Sequence, residues 1–299
     1  LRVSYSPRYV ADIPDDHIFP IKKFSGLHSY LINAGTILES EVVTPSLVEF
    51  SNLITAHTER YAEAVWTGSL DRKEVRRMGL PWSRSLAVRS RLAVQGTINA
   101  SLMALQDGLA GNLAGGTHHA MPDHGEGFCV YNDVAVAIKV LQQSKWINKV
   151  LVIDCDVHQG NGTAFIFAGD QEVYTFSIHG EKNYPFNKPP SDLDLGLPDG
   201  TTDKIYHQTL ISALDSILNE FRPDLVFYLG GIDPLETDHF GRLSLTLAGL
   251  RERDRIVIET ITQRNLALVL LLSGGYAPTL KETVIAHAQM FELAKEMGF

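Results

Sequence analysis

Apolar runs of strand length recur along this chain, at Arg2 to Tyr5, Val150 to Cys155, Glu172 to Ile178, Asp224 to Gly230 and Leu266 to Ser273. The longest are apolar at nearly every position, not at alternate ones, so both faces of the sheet they form must be covered. Between several of them lie stretches with helical spacing, Asp133 to Gln143, Lys204 to Phe221 and Leu247 to Arg264. Strands of this kind alternating with helices predict an α/β fold, a three-layer α/β/α domain around a central, mainly parallel sheet. At 299 residues and 44% hydrophobic content the chain can bury one large core, and one domain over residues 1–299 is expected. No internal repeat or low-complexity tract divides it.

Most of these runs end in Gly, Asp or His, which gathers polar groups at one edge of the sheet, where open α/β sheets collect their ligands. The run VLVIDCDVHQGNG, Val150 to Gly162, is the most informative. It carries Asp154, Asp156 and His158 at every second position. At about 3.3 Å per residue they would line one side of a strand end, roughly 7 Å apart. Singly, such residues are ordinary helix caps or hydrogen-bonded surface groups. Together, two carboxylates and an imidazole suit a metal.

Two further segments add to the set. Gly115-Gly116-Thr117-His118-His119-Ala120 places adjacent histidines in a glycine-rich loop, which suits either a metal pair or an acid/base pair. GEGFCVYND, Gly125 to Asp133, follows closely, and Gly127-Phe128 would let a ring stand near the backbone at a pocket wall, although a core Phe is the ordinary case. Asp233 follows FYLGG and Tyr276 follows LLLSGG, each a polar group at the end of an apolar strand. Trp82, after the charged, Pro-broken segment Asp71 to Ser85, reads as a packed aromatic first and a substrate contact second. The polar stretch from Asn187 to Thr202 reads as a long surface loop.

Composition narrows the partners. The net charge is -9 and the basic residues are scattered, with short clusters at Lys22-Lys23 and at Arg72, Lys73, Arg76 and Arg77 that read as solvated helix faces. No basic stripe predicts nucleic acid or an anionic membrane as partner. No apolar run is long enough to span a membrane, and the N-terminus lacks the shape of a secretory signal, so a soluble, cytoplasmic protein is expected, nucleocytoplasmic in a eukaryote. Cys129 and Cys155 read as buried, reduced core residues.

Taken in order, GGTHHA, GFCVYND, DCDVHQGNG, GGIDPLETDHFGRLSLT and SGGY resemble the zinc-dependent histone deacetylase family, and HQGNG with SGGY is most similar to its class IV branch and bacterial relatives. The resemblance implies an arginase/deacetylase-like fold and hydrolysis of an acyl-lysine-type amide, by deacetylation or longer-chain deacylation. It implies a metal held by Asp156, His158 and Asp233, zinc first, with Fe(II) or Co(II) as alternatives for so hard a donor set. The histidine pair falls on His118 and His119, the carbonyl-polarising tyrosine on Tyr276. Asp154 matches the carboxylate that orients His118 and helps form an internal potassium site, completed by main-chain oxygens of Asp156, His158 and residues near Ser177. Gly127 and Phe128 match one wall of the acyl-lysine tunnel and Tyr184 the other, with spacing that differs by about one residue from class I. Asn161 stands where class I members carry a second orienting aspartate, so His119 is expected to favour its neutral form. The acidic rim residue that grips the substrate backbone in class I has no clear counterpart.

Three other readings stay open at this stage. A dinuclear manganese hydrolase of the arginase type would share the fold but needs more bridging carboxylates than Gln159 and Asn161 supply. The substrate could be an acetylated polyamine or another small acylated amine in place of a protein or peptide. A silent acyl-lysine binding module would not need His118, His119 and Tyr276 together.

Overall fold

In strands apolar on both sides, alternate residues must feed two separate cores. Here Leu151 and Ile153 enter one, Val150 and Val152 the other; Val226 and Tyr228 oppose Leu225, Phe227 and Leu229 in the same way. The computed structural model describes residues 1–299. Its strands are β1 (Val3–Ser4), β2 (Val42–Val43), β3 (Leu109–Asn112), β4 (Val150–Asp154), β5 (Val173–Gly180), β6 (Leu193–Leu197), β7 (Leu225–Leu229) and β8 (Ala267–Leu271). They form one sheet in the order β2-β1-β3-β8-β7-β4-β5-β6. Every neighbouring pair is parallel.

The helices are α1 (Lys23–Asn33), α2 (Phe50–Leu53), α3 (Glu59–Thr67), α4 (Arg72–Met78), α5 (Arg84–Asp107), α6 (Asp133–Gln143), α7 (Asn161–Ile166), α8 (Asp203–Glu220), α9 (Leu247–Thr262) and α10 (Leu280–Glu296). On one face of the sheet α5 packs on β3 and α6; on the other α1, α10, α9 and α8 pack in succession. This is the predicted α/β/α arrangement.

Three sequence expectations need correction. The stretch from Asn187 to Thr202 is not all loop, because Leu193–Leu197 pairs with β5 as the edge strand. Only one side of an edge strand is paired, and Leu193, Asp194 and Leu195 are half-buried, so the polar composition that suggested a loop is compatible with a strand. The Lys22-Lys23 cluster is not a solvated face, since Lys23 is 2% exposed. It heads the stripe Lys23, Leu27, Leu31 at i, i+4 and i+8 on α1, which packs against α10. Finally, the ladder of β4 stops at Asp154, so Asp156 and His158 lie beyond the strand in an irregular turn instead of on its face. In that turn His158 Nδ1 stands 3.0 Å from Asp156 Oδ1.

Candidate active site

Because every strand runs the same way, all carboxyl ends share one edge, and β3, β8, β7 and β4 are consecutive neighbours across its middle. The segments leaving those four ends carry His118 and His119, then Ser273 to Tyr276, then Asp233, then Asp156 and His158. Residues up to about 160 positions apart in sequence converge for that reason.

Asp156, His158 and Asp233 each offer one ligand atom within 4.8 Å of the others. Every oxygen but one already has a donor. Asp156 Oδ2 accepts from Ser273 Oγ at 2.8 Å and Gly274 N at 2.7 Å, and its Oδ1 accepts from His158 N at 3.0 Å. Asp233 Oδ1 accepts from Val157 N at 2.8 Å, whereas its Oδ2 is buried with no hydrogen bond; His158 Nδ1 stands 3.3 Å away. An orphaned buried carboxylate oxygen beside a second carboxylate is costly unless a cation meets it. Gly274 keeps the space beside these groups clear, since a Cβ there would lie 2.3 Å from Asp233 Oδ2 and 2.7 Å from Asp156 Oδ2. The residues fit a divalent metal ion.

The electrostatics of the metal-free cluster agree. Burial and the neighbouring Asp156 charge push Asp233 up to about 7. Burial acts the same way on Asp156, but the His118 and His158 charges outweigh it and hold that carboxyl well below its usual range. His158 rises to about 10, its own burial overcome by its hydrogen bond to Asp156 and by the adjacent Asp233 carboxylate.

The adjacent histidines, ring centroids 4.1 Å apart, have opposite characters. His118 Nδ1 donates to Asp154 Oδ2 at 2.7 Å; burial opposes its charge, yet Asp154 and Asp156 raise it to about 9. His119 Nδ1 donates to Asn161 Oδ1 at 2.7 Å. Burial, then the His118 and His158 charges, hold its pKa well below the ordinary imidazole range. In the metal-free site one ring thus favours its charged form and the other its neutral, accepting form, an arrangement that can separate acid and base duties. Asp133, at the start of α6, accepts from Thr117 N at 2.8 Å and Gly116 N at 3.1 Å and so anchors the loop that carries them.

These groups line a cavity of about 430 Å³ together with Gly127, Phe128, Tyr184, Tyr276 and Phe240. Gly127 and Phe128 both lie in the left-handed region, with φ of 56° and 64°. A Cβ on Gly127 would stand 2.5 Å from His119 Cδ2, so glycine is required there by both conformation and space. A left-handed Phe is a strained choice, and the strain directs its ring to 5.8 Å from that of Tyr276. Tyr276 is 8% exposed, Phe240 stands edge-on at 5.0 Å, and Asp238 Oδ2 accepts from its backbone N at 2.7 Å. Tyr184 stands edge-on to His119 with centroids 5.2 Å apart. Trp82 is outside the cavity lining; its Nε1 donates to Val65 O at 2.8 Å.

Several cavity residues were not anticipated. Lys23 and Arg89 line it although both are buried; Lys23 Nζ donates to Ser273 O at 3.2 Å, and burial lowers it to about 8. Glu126, hidden inside the GEGF motif, accepts from Asn161 Nδ2 at 3.0 Å, from Arg77 Nε at 2.8 Å and from the Tyr184 hydroxyl. Lys23 could have been found from its place in the α1 stripe, but Glu126 gains its meaning only from contacts 35 and 58 residues away.

Comparison with known proteins agrees with this geometry. The family described as Histone deacetylase domain matches residues 17–291. A Picosynechococcus protein described as uncharacterized is 43% identical over 99% of this chain and 98% of its own length. Histone deacetylase 2 of Arabidopsis thaliana is 29% identical over 87% of this chain and 70% of its own. An HDAC homolog solved in complex with SAHA superposes with a TM-score of 0.84 at 25% identity, covering 99% of this chain and 84% of that one. Another from Aquifex aeolicus gives 0.83 at 24% identity, over 98% and 84%, and carries the fold alone. With the family match spanning nearly the whole chain and the same sheet beneath it, this protein belongs to the histone deacetylase family of hydrolases.

Proposed function

We propose that this protein is a metal-dependent amidohydrolase that removes the acyl group from an acyl-lysine-type amide, with residues 1–299 acting as one catalytic unit. The observation that carries this reading is the orphaned, buried Asp233 Oδ2 facing His158 and Asp156 in a cavity that also holds His118, His119 and Tyr276. Asp156, His158 and Asp233 would hold one divalent ion, zinc first and Fe(II) or Co(II) as alternatives for a set without thiolate. Such an ion supplies Lewis acidity toward a carbonyl and lowers the pKa of water from 15.7 toward about 7.

The chain's own residues do the rest. Phe128, Gly127 and Tyr184 line the slot for the acyl-lysine stem. His119, neutral and an acceptor at Nε2, takes the proton of the attacking water and returns it to the departing amine. His118, held as a cation by Asp154, stabilises the negative charge that develops on the carbonyl oxygen, and the Tyr276 hydroxyl donates to that oxygen. A potassium ion beside Asp154, which pairs in register with Ser177, is part of this reading by resemblance alone. Asn161 Oδ1 is taken by His119 and its Nδ2 by Glu126, and the ligand cluster holds only two carboxylates, Asp156 and Asp233; this favours one ion over a dinuclear manganese centre, which needs further bridging carboxylates. The two buried, free thiols, Cys129 and Cys155, suit the reducing cytoplasm.

The test is turnover of acyl-lysine peptides of increasing chain length, with acetylated polyamines alongside and SAHA, present in the related complex, as a probe of the slot. Turnover that stops with a chelator and returns with zinc is expected. A zinc-loaded protein that hydrolyses none of the peptides overturns the reading, and hydrolysis of the polyamines alone replaces lysine with a small amine.

A further inference from the structure

Asn161 is an amide, and an amide can face His119 with either end. If its oxygen faces the ring, His119 must carry its proton on Nδ1 and present a bare Nε2; if its NH2 faces the ring, Nδ1 becomes the acceptor and Nε2 the protonated atom. Only the first tautomer can act as a base at Nε2. Nothing intrinsic to Asn161 chooses between them, and a carboxylate at the same place would leave no choice to make.

Glu126 removes the ambiguity. It is 8% exposed and ionised: burial raises its pKa, but the His124 ring 3.4 Å away and hydrogen bonds from Tyr184, Asn161 and Arg77 outweigh that and hold it well below the ordinary carboxylate range. An ionised carboxylate only accepts, so the end of Asn161 that meets Glu126 Oε1 at 3.0 Å must be its NH2, and the oxygen is left for His119 Nδ1 at 2.7 Å. The reverse orientation would set two oxygens against each other in a buried site. Arg77 Nε at 2.8 Å and the Tyr184 hydroxyl fix Glu126 in turn.

We propose that Glu126 is the positioning residue for His119, selecting through the Asn161 amide the tautomer that leaves Nε2 unprotonated. Glu126 is not itself a lining residue of the cavity and reaches it only through Arg77, Tyr184 and Asn161. The inference rests on the reading of His119 as the base, but its structural half, the choice of tautomer, is measurable without turnover.

The experiment is side-chain proton–nitrogen NMR of zinc-loaded, histidine-labelled protein, with the His119 signals identified by their absence in His119→Gln. In the parent, His119 is expected to show a protonated Nδ1 and a bare Nε2. In Glu126→Gln the side chain can donate or accept, Asn161 is free to turn, and the second tautomer appears, while kcat on the best peptide falls roughly 10- to 100-fold with KM unchanged. Tyr184→Phe, which keeps the Glu126–Asn161 bond and leaves Arg77 to hold Glu126, shows the parent's His119 tautomer. In Asn161→Asp the carboxylate accepts from Nδ1 unaided, so adding Glu126→Gln no longer moves the signals, and it raises turnover by relieving two facing charges. An unchanged His119 spectrum in Glu126→Gln overturns the proposal, as does a Tyr184→Phe spectrum shifted like that of Glu126→Gln. Should Glu126→Gln lose its zinc or fold, the Asn161→Asp pair decides by the same criterion. If the expected spectra are seen but no peptide is turned over, the tautomer control stands and the assigned activity fails.

Discussion

Tyr276 has what an oxyanion donor needs: a hydroxyl that keeps its proton and a ring that cannot wander. Burial first, and then the negative charges around it, hold its pKa well above 10, and Phe240 and Phe128 pack the ring on two sides. Removing one such donor costs about 10²- to 10³-fold in rate. Tyr276→Phe should therefore lower kcat by about that factor, with KM and zinc content unchanged in steady-state and elemental measurements; undiminished turnover would remove Tyr276 from the reaction. Asp233→Asn makes the complementary case, since an amide keeps the shape but not the charge of the orphaned oxygen. The variant should hold far less than one zinc per chain after dialysis, and a full complement would contradict the ligand set. Both residues could be singled out from sequence because each ends an apolar strand behind paired glycines. Lys23 is betrayed by its place in the buried stripe of α1, but Glu126 could not be recognised, because a carboxylate in a loop is ordinary until the residues packed against it are known.

At the scale of elements, the loop carrying the histidines is fastened by the start of α6. Asp133 accepts four hydrogen bonds, from Gly116 N, Thr117 N, Thr117 Oγ1 and Thr97 Oγ1, the last at 2.5 Å. Each buried donor left without a partner costs about 1–3 kcal/mol. Asp133→Ala should thus lower unfolding free energy by at least about 3 kcal/mol in urea at fixed free zinc, and reduce turnover with it, because Thr117 precedes His118. A change within about 0.5 kcal/mol would show that the loop is held by its glycines alone. The helices α6, α8 and α9 were readable within a residue or two because each shows one apolar stripe. The longest, α5, escaped because it is buried on several sides, between β3, α3 and α6, and its apolar residues follow no single stripe. Among strands, β1 lies inside the expected run Arg2 to Tyr5, whereas β2 is two residues and β3 is LAGN, too short and too small to announce themselves against turns.

For the whole molecule, parallel topology made the site legible before any contact was known: strand ends of one direction share an edge, so polar residues behind apolar runs had to meet. What sequence could not supply was the strand order, which alone sets Asp233 beside Asp156 and His158, because β4 and β7 are neighbours in space but separated in the chain by two strands and two helices. The metal site therefore ties distant segments together, and an ion bound there stabilises the folded state by mass action, about 4 kcal/mol at a thousandfold excess over Kd. At roughly 2 °C per kcal/mol for a chain of this size, the zinc-loaded protein should melt about 8 °C above the chelated one. The pH dependence of that gap follows from Asp233, and His158, raised to about 10 without the ion and deprotonated to bind it, acts in the same direction. In the metal-free protein the Asp233 pKa is raised to about 7, above the 3.8 of the unfolded chain, so its contribution is complete below pH 3.8 and lost as pH rises through 7. Zinc removes that loss by neutralising the carboxylate. The melting gap should therefore widen between pH 6 and pH 8, when both forms are followed by calorimetry in the same buffers at fixed free zinc or fixed chelator. A gap that stays constant or narrows over that interval would mean that Asp233 already sheds its proton without the ion, and that the orphaned oxygen is not what the cation satisfies.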